Sequence, residues 1–488
     1  MPLMTTAGAV EGVAKDGVTA FYGIPFAAST AGDGRWRPPS APKPWRGVRT
    51  ADAFGPVCPQ NLTSWPASED CLNLNVWTPN TSAHMPVLVW IFGGRFVWGS
   101  GRDPQFDGAA LAAMGVVVVT FNYRLGVFGW LAAPGGASGD YGLLDQLAAL
   151  NWVQDNIAAF GGDPGRVTIA GQSAGAASVL ILVGSSQAQG LFHGAMALSG
   201  AAHPGDPGLW SRAGSYRDLA TAQRQGTQYL AEHGASSIDQ ARRLPASQLL
   251  AGNDADDPSV DQPHRPPLFR PVLGGSVMAV SYDQMLTAGA ANDVPIITGT
   301  TRDEDGASPN PSVTLAQWRA TAQRTYRELA DEFLALYPAT NDAEAAAMSN
   351  QAANDLSRTS TYLWAQLWSR RCSSPVYTYF WTHTPPGPHA DRDGAFHGGE
   401  IWYFLDSLLA DPCRPFAADD QMIADRTSAY VARFIATGDP NGDAPPWPAA
   451  TGGPPITMEL GDAFDPMPVA TPARFDLHRR MLESQPRR

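Results

Sequence analysis

The sequence between residues 167 and 176, VTIAGQSAGA, joins a short apolar run to a helix-forming run through a serine flanked by glycines. It predicts a buried strand that ends near Gly171, a sharp turn that lifts Ser173, and a helix that begins at Ala174. Small residues beside the serine avoid clashes at such a turn, which is the GxSxG pattern of a nucleophile elbow. A serine hydroxyl is a weak nucleophile near neutral pH, so it needs a base, an acid behind the base and donors for the oxyanion. In a chain with 49 glycines the pattern alone is weak evidence, and the acyl-transfer hypothesis depends on those partners.

The acid of such a relay is expected later in the chain, directly after a strand. The apolar run VPIITGT, residues 294–300, is followed by a loop that contains Asp303, Glu304 and Asp305. A loop at the carboxyl end of a parallel strand lies at the active-site edge of the sheet. One of these acids is therefore predicted to face the serine, and the other two are predicted to be solvated.

The base is predicted from GAFHGGE, residues 394–400, where small residues around His397 leave room for the imidazole to reach a serine. None of the other eight histidines has a comparable setting. We expect His397 to take the proton of Ser173 and return it to the leaving alcohol. Glu304 would fix the tautomer of the imidazole and stabilise its protonated form.

Six apolar runs bounded by turn residues predict the elements that position these side chains. Continuous apolarity without alternation is typical of strands buried on both faces of a parallel sheet. Between two of the runs, apolar residues recur at steps of three and four from Leu143 to Phe160, which predicts a crossover helix that ends at Gly161. The order strand, helix, strand predicts an α/β core with a large, mostly parallel central sheet and helices on both faces. The six runs are residues 86–92, 116–122, 167–170, 195–198, 294–299 and 376–381.

The length of 488 residues exceeds the usual size of one domain, yet large α/β enzymes grow by insertion into one sheet. We therefore predict a single domain over residues 1–488. Helical insertions over the active-site edge are predicted at about 211–265 and 311–372. A proline-rich coil and a short helix are expected to end the chain.

Composition limits the partners of the protein. The chain is 44% hydrophobic and carries 33 basic against 46 acidic residues, and the net charge of −13 opposes binding to nucleic acid or to anionic membranes. No apolar run approaches the length of about 20 residues that spans a bilayer. We expect a small-molecule substrate and a monomer or small homo-oligomer. The N-terminus has no basic region followed by an apolar one, so the protein is expected to be secreted or periplasmic with its signal removed, or else cytoplasmic.

Four cysteines are present, and their spacing does not fit a metal site. Cys58 and Cys71 close a short loop, where a disulfide would add roughly 3 kcal/mol of stability. The loop favours a disulfide, and hence an oxidising compartment, over two buried thiols. Cys372 and Cys413 could form a second bridge, although nothing in the sequence fixes their geometry.

Several longer segments are too specific to be explained by composition. They are SEDCLNLNVWTP (68–79), FNYRLGVFGWL (121–131), GDYGLLDQLAALNWVQDNIAAFGGDP (139–164), GQSAGA (171–176), GTTRDEDG (299–306), GAFHGGE (394–400) and TGDPNG (437–442). Together they resemble the type-B carboxylesterase family, the cholinesterase and para-nitrobenzyl esterase group of α/β-hydrolases. The matches run from residue 17 to residue 447 and cover most of the chain.

This resemblance implies an α/β-hydrolase fold and a serine carboxylesterase that forms an acyl-enzyme. It assigns the catalytic triad to Ser173, Glu304 and His397. The substrates of the family are carboxylic esters that enter a gorge lined with aromatic side chains, and no cofactor or metal is needed.

The resemblance has two structural implications as well. It implies that Cys58 and Cys71 are bridged. It also suggests that Glu69 and Arg124 form an ion pair beneath the glycine loop, where the pair would hold the fold without taking part in the chemistry.

The chain departs from the family in the loop that should supply oxyanion donors. Most relatives read His-Gly-Gly-Gly-Phe, whereas residues 92–96 here read FGGRF. The backbone N–H of Arg95 survives this replacement of a glycine, so Gly94, Arg95 and Ala174 are the predicted oxyanion donors. A β-carbon at position 95 nevertheless restricts the backbone and fills space beside the acyl carbonyl.

Two interpretations of the Arg95 side chain remain open. Its guanidinium could point into the pocket and pair with a carboxylate of the substrate, which would make the protein an esterase for acidic or bulky natural esters. Alternatively, it could point away and pair with a local acid such as Asp103 or Asp107. The second interpretation implies ordinary specificity.

Other residues near the serine are candidates for substrate binding. Gln172 stands where many relatives carry glutamate, and the loss of that charge disfavours cationic, choline-like substrates. Phe96, Trp98 and Phe128 are candidate pocket walls, although aromatic residues so close to a buried strand are more often core.

A different class of function must also be considered, because the fold includes members that lost the triad and serve as adhesion or binding modules. Such members usually lack at least one residue of the triad. Here all three are present, which favours the enzyme.

Overall fold

A computed structural model of the chain describes residues 1–210, 216–261, 264–442, 444–450 and 452–487. Residues 211–215 and 262–263 of the first predicted insertion lie outside this part of the chain. Within it, the strands are β1 (Leu3–Met4), β2 (Ala9–Glu11), β3 (Val13–Lys15), β4 (Val18–Pro25), β5 (Val48–Thr50), β6 (Asn73–Thr78), β7 (Met85–Ile91), β8 (Val117–Phe121), β9 (Ala132–Ala133), β10 (Ala137–Ser138), β11 (Gly162–Gln172), β12 (Gly194–Leu198), β13 (Arg217–Asp218), β14 (Val272–Leu273), β15 (Ile296–Thr301), β16 (Val376–Trp381), β17 (Ile456–Leu460) and β18 (Pro466–Pro468).

The α-helices alternate with the central strands and fill the two predicted insertions. They are α1 (Ala109–Ala113), α2 (Gly126–Trp130), α3 (Tyr141–Asn156), α4 (Ala174–Gly184), α5 (Leu219–Glu232), α6 (Ile238–Ala241), α7 (Ala246–Leu249), α8 (Tyr282–Ala288), α9 (Leu315–Thr321), α10 (Ala330–Leu336), α11 (Asp342–Ser369), α12 (Ala390–Asp393), α13 (Ile401–Phe404), α14 (Ala418–Thr437) and α15 (Pro472–Ser484). α3 continues into a short 3-10 turn, and this helical stretch ends as predicted at Gly161, which adopts a left-handed conformation with φ 79°.

A sheet of 11 strands forms the centre of the molecule, in the order β18-β17-β16-β15-β12-β11-β7-β8-β6-β4-β3. The strands from β17 to β8 run parallel, and those at both edges are antiparallel. Every residue of β8, β12, β15 and β16 is buried, as expected for strands covered on both faces. The chain is therefore an α/β-hydrolase with a large, mostly parallel sheet and helices on both faces. All six apolar runs form parallel strands, whereas β17 and the antiparallel edge strands were not predicted from the sequence.

The order of the strands reverses next to β7, which pairs with β8 on one side and with β11 on the other. The carboxyl ends of β7 and β11 lie at the same edge of the sheet because the two strands are parallel. In open α/β sheets a crevice forms at such a reversal. The glycine loop follows β7 and Ser173 follows β11, so the fold brings these two segments together.

The two predicted insertions pack differently. Residues Tyr216 and His264, at the margins of the first, line the cavity above Ser173. None of residues 311–372, all of which are described, lines that cavity. Their helices α9, α10 and α11 instead form a second apolar cluster with α15, through side chains such as Trp318 and Met481.

One of the two disulfides considered from the sequence is present and the other is not. Cys58 and Cys71 form a disulfide, with their Cα atoms 5.0 Å apart. Cys372 is buried and Cys413 is exposed, and both are free, so the second bridge considered from the sequence is wrong. None of the described helices has the combination of length and apolarity needed to cross a bilayer.

The predicted ion pair between Glu69 and Arg124 is also wrong. Arg124 is fully buried and pairs with Asp145 of α3, which accepts from its guanidinium at 2.7 and 2.8 Å and from its backbone N–H at 3.0 Å. Glu69 pairs with Arg35 instead, again through two oxygens. Asp145 and the carbonyl of Arg37, which accepts from Arg124 Nη1 at 2.9 Å, together occupy the guanidinium, and Glu69 is taken by Arg35.

Candidate active site

Ser173 lies on a strained turn between β11 and α4. Its backbone has φ 59° and ψ −121°, a conformation that costs energy for any residue with a β-carbon. A β-carbon on Gly171 would lie 2.6 Å from the carbonyl oxygen of Ile91, and one on Gly175 only 2.0 Å from the same oxygen. The two glycines are therefore required by the approach of the β7 backbone, as the elbow pattern predicts.

A cavity of about 830 Å³ opens onto Ser173. Glu304, His397 and the glycine loop line the same cavity, so all three residues of the predicted triad meet at one place. A cavity of this volume accommodates a small organic molecule. No group of three or more potential metal ligands occurs among the described residues.

The acid and the imidazole are in direct contact, because His397 Nδ1 is hydrogen-bonded to Glu304 Oε2. Glu304 Oε1 also accepts from the hydroxyl of Ser199 at 2.9 Å and from the backbone N–H of Thr301 at 2.7 Å. Burial opposes ionisation of Glu304, but these donors and the imidazole outweigh it and lower its pKa. Desolvation likewise opposes protonation of His397, yet the Glu304 carboxylate outweighs it and raises the pKa of the imidazole.

Asp303 ties the acid loop to the histidine loop. Its N–H donates to the carbonyl of Ala395 at 3.1 Å, and its carboxylate accepts from the N–H of Ala395 at 2.8 Å and from Arg302 Nε at 3.1 Å. The loops approach so closely that a β-carbon on Gly394 would lie 2.3 Å from the Asp303 carboxylate. The sequence predicted two solvated acids in this loop, but only Asp305 is exposed.

The contact between the imidazole and the serine is not formed. No hydrogen bond joins Ser173 to His397 in the described part of the chain, and Gln172 Nε2 lies 3.2 Å from His397 Nε2. In the neutral imidazole with its proton on Nδ1, Nδ1–H donates to Glu304 and the lone pair on Nε2 accepts from the Gln172 amide. This is the lone pair that must take the serine proton, so Gln172 occupies the position in which Ser173 would act. Catalytic hydrogen bonds often tighten only after substrate binds.

A second buried carboxyl lies behind the first and was not singled out from the sequence. Glu400 Oε1 accepts from the Tyr379 hydroxyl at 3.1 Å and lies 3.5 Å from the Ser199 hydroxyl, while its Oε2 has no partner among the described residues. Burial, reinforced by the charge of Glu304, raises the pKa of Glu400 to about 7. The only signal in the sequence was an acid three residues after His397.

The predicted oxyanion donors lie next to the serine. Gly94 and Arg95 both adopt positive φ, 98° and 55°, and Val97 and Trp98 donate their N–H groups to the carbonyl of Gly94. The N–H groups of Gly94, Arg95 and Ala174 make no hydrogen bond to other described residues. The first N–H groups of a helix are unpaired within the helix, so that of Ala174 can bind an anion.

Arg95 pairs with an acid that neither interpretation of the sequence anticipated. Its Nη2 lies 2.5 Å from Asp256 and 3.0 Å from the carbonyl of Arg265, rather than near Asp103 or Asp107. The side chains of Arg95 and Asp256 are 43% and 53% exposed, so the pair contributes little to stability. Arg95 nevertheless lines the cavity, and its partner comes from the first predicted insertion.

Of the three aromatic residues considered as pocket walls, one lines the cavity and two lie in the core. Trp98 lines the cavity, whereas Phe96 and Phe128 are buried away from it. The Phe96 ring packs at 4.9 Å against Trp130, so the prediction that Phe96 binds substrate is wrong. Its positive φ of 64° turns the side chain into the core as the glycine loop ends.

Comparison with known proteins gives a consistent assignment. The model of the carboxylesterase family matches residues 2–471. The chain is 37% identical to fumonisin B1 esterase of Sphingopyxis macrogoltabida over 91% of the chain and 83% of that protein. It is 34% identical to para-nitrobenzyl esterase of Bacillus subtilis strain 168, over 91% of the chain and 91% of that protein. It is 33% identical to acylcarnitine hydrolase of Mus musculus, over 89% of the chain and 82% of that protein.

A solved structure of PNB esterase has the same architecture. It aligns with a TM-score of 0.81 at 30% sequence identity and covers 99% of each chain. The protein therefore belongs to the carboxylesterase family and is a carboxylic ester hydrolase.

Proposed function

We propose that the protein hydrolyses carboxylic esters through a triad of Ser173, His397 and Glu304 and a covalent acyl-enzyme. The observation that carries this proposal is the shared cavity, in which a serine on a strained elbow faces an imidazole whose Nδ1 is held by a buried carboxylate. Gly94 and Arg95, two of the predicted oxyanion donors, line the same space, and the third, Ala174, directly follows Ser173.

In the first half of the reaction Ser173 Oγ attacks the ester carbonyl while its proton passes to His397 Nε2. The oxyanion is bound by the three unpaired N–H groups, each of which typically contributes about 3 kcal/mol to the transition state. Nε2–H then protonates the leaving alcohol, and water repeats the cycle on the acyl-enzyme. Glu304 stabilises the imidazolium that forms in both halves.

Gln172 has a part in this cycle because it holds His397 Nε2 before substrate binds. The amide must give up this hydrogen bond for the serine proton to be transferred. Until then the imidazole is held at both nitrogens, by Glu304 at Nδ1 and by Gln172 at Nε2. Gln172 lines the cavity, so an entering ester can displace its amide.

Covalent labelling tests the proposed nucleophile. Incubation with an organophosphate ester is expected to add one phosphoryl group to Ser173, detected by peptide mass spectrometry, and to abolish hydrolysis of para-nitrophenyl esters. Ser173→Ala is expected to remain unlabelled, whereas Ser186→Ala, which changes an exposed serine beyond α4, is expected to behave as the wild type. An unlabelled Ser173 in the folded wild-type protein would support a non-catalytic binding module instead.

A second candidate is an esterase that selects acidic or bulky natural esters through Arg95. Two observations favour it: Arg95 lines the cavity, and its ion pair with Asp256 is exposed enough to be exchanged for a substrate carboxylate. One relative, 37% identical, carries the name fumonisin B1 esterase.

The second candidate is tested by paired substitutions. Asp256→Asn frees the guanidinium and is expected to increase the preference for esters that carry a free carboxylate over neutral esters of the same size. Arg95→Gly is expected to decrease that preference, and it also relieves the positive φ. If neither variant changes the preference, Arg95 is not the selector.

We also propose that the protein functions in an oxidising compartment, and the Cys58–Cys71 bridge supports this. Labelling of thiols in the denatured protein, isolated from its own cells without reductant, is expected to find two reactive thiols, Cys372 and Cys413. Four reactive thiols would contradict the proposal.

A further inference from the structure

The helix that follows the nucleophile forms one wall of the cavity along its whole length. Ala177, Leu180, Ile181 and Gly184 all line the cavity, and their spacing of three and four residues places them on one face of α4. From Ser173 to Gly184 the helix advances about 16 Å, at 1.5 Å per residue. The cavity therefore extends well beyond the reacting atoms.

The facing wall consists of residues 277–282 and Met285 of α8. Met285 closes the far end, because a β-carbon on Gly184 would lie 2.8 Å from its sulfur. Tyr282 is anchored by hydrogen bonds between its hydroxyl and the backbone N–H and carbonyl of Ala202, at 3.1 and 3.0 Å. The space between α4 and this segment is called the α4 arm below.

Charge is distributed unevenly around the cavity. All the acidic and basic side chains of its described wall lie in other segments: Arg95, Asp103, His264, Glu304, Asp305 and His397. Those that line the α4 arm are uncharged and mainly aliphatic. An arm of this kind stabilises an apolar chain by removing it from water and provides no partner for a charged group.

The position of His397 indicates whether the acyl group or the alcohol group of an ester lies in the α4 arm. Its Nε2–H must reach the leaving oxygen, so the alcohol lies beside the histidine loop, where Phe396, Gly398 and Trp402 form the wall. The acyl group occupies the remaining space. We propose that the α4 arm binds the acyl chain of the substrate, and that the preferred substrates are esters of straight, uncharged fatty acids of about eight to twelve carbons, given an advance of about 1.2 Å per bond in an extended chain. This inference rests on the ester hydrolysis proposed above.

The test compares para-nitrophenyl esters of acetate, octanoate, decanoate and longer acids, all of which share one leaving group. In the wild type kcat/KM is expected to rise by up to about fourfold for each methylene that enters the arm, and to fall once the chain exceeds it. Ile181→Trp fills the middle of the arm, so the ratio of kcat/KM for decanoate to that for acetate is expected to fall by about tenfold or more. Met285→Ala removes the end wall and is expected to shift the optimum to longer chains.

Val183→Ala provides the matched control, because Val183 lies on the same helix, is fully buried and does not line the cavity. It is expected to lower thermal stability without changing the optimal chain length. If Ile181→Trp fails to fold, the opposite shift expected for Met285→Ala still tests the arm. A second series, alkyl acetates of increasing alcohol length, is expected to be no more sensitive to Ile181→Trp than to Val183→Ala.

The inference is overturned if neither Ile181→Trp nor Met285→Ala changes the acyl chain length at which kcat/KM is greatest. It is also overturned if the variants change the preferred chain length only in the alkyl acetate series, since the arm would then bind the alcohol. Both results differ from failure of the proposed function, in which the wild type hydrolyses none of the esters, acetate included, and Ser173 is not labelled.

Discussion

The two halves of the proposed triad differ in how completely they are assembled. On the acid side, Glu304 is buried, contacts the imidazole and accepts two further hydrogen bonds, while Asp303 joins the two loops through the backbone of Ala395. On the serine side, the imidazole binds Gln172 and makes no hydrogen bond to Ser173 among the described residues. The orientation of His397 is thus fixed in the free protein, and the contact with the nucleophile is left for the substrate to complete.

The largest effect is expected from breaking the assembled half at Glu304. Glu304→Gln keeps the shape of the side chain but removes the charge that stabilises the imidazolium, so kcat is expected to fall by about 10⁴-fold. Glu304 raises the pKa of His397, so its loss is expected to shift the acidic limb of the kcat/KM profile to lower pH. A profile with an unchanged acidic limb would show that Glu304 does not act through the imidazole.

A smaller effect is expected when the loops are released at Asp303. Asp303→Ala removes the acceptor for the N–H of Ala395, and the resulting displacement of His397 is expected to lower kcat by about 10- to 100-fold with little change in KM. Asp303→Asn retains an acceptor and is expected to restore most of the activity. Asp462→Asn changes an acid that pairs with Arg302 and His383 and does not line the cavity, so it serves as the control. Equal losses in Asp303→Ala and Asp462→Asn would assign Asp303 a general role in stability.

The serine side of the triad, where His397 contacts Gln172 instead of Ser173, is tested by placing a charge at position 172. Gln172→Glu puts a carboxylate beside His397 Nε2, which stabilises the imidazolium. The acidic limb of kcat/KM is expected to move to higher pH, with a loss of about threefold to tenfold at neutral pH. Choline esters are expected to gain relative to neutral esters of equal size. If the limb moves to lower pH or stays in place, Gln172 does not contact Nε2 in solution.

Substitution of Glu400 is expected to have the smallest effect on the rate, but it is expected to change how stability depends on pH. Its pKa is about 7 in the folded protein and about 4.3 in the unfolded chain, so the folded state binds more protons between these values. Stability is therefore greatest below about pH 4.3 as far as this group is concerned, and it is lost as pH rises through 7. Glu400→Gln is expected to remove a loss on the order of 3 kcal/mol at pH 8, measured as a higher Tm than the wild type, and the difference in Tm is expected to shrink as pH falls and to vanish near pH 4. A difference in Tm that does not depend on pH would contradict this account.

The sequence predicted those features whose signals are local. The elbow at Ser173 and the setting of His397 each lie within a few residues, Cys58 and Cys71 are 13 residues apart, and the apolar runs marked the central strands. Arg124 was assigned the wrong partner because its choice between Glu69 and Asp145 depends on tertiary packing, which places Asp145 of α3 beside Arg124 and Arg35 beside Glu69. Likewise, the contacts from Arg95 to Asp256 and from Gln172 to His397 join segments 161 and 225 residues apart. Packing decides such contacts, so one sequence does not reveal them.

The central claim is that His397 activates Ser173, and the rate at which the organophosphate ester phosphorylates Ser173 tests it without requiring turnover. The rate constant for labelling of Ser173 is to be measured in the wild type, in His397→Ala and in His389→Ala, which alters an exposed histidine outside the cavity. We predict that His397→Ala slows labelling by about 10³-fold or more, whereas His389→Ala leaves it unchanged. Labelling at the wild-type rate in His397→Ala would contradict the account, because Ser173 would then not depend on this imidazole.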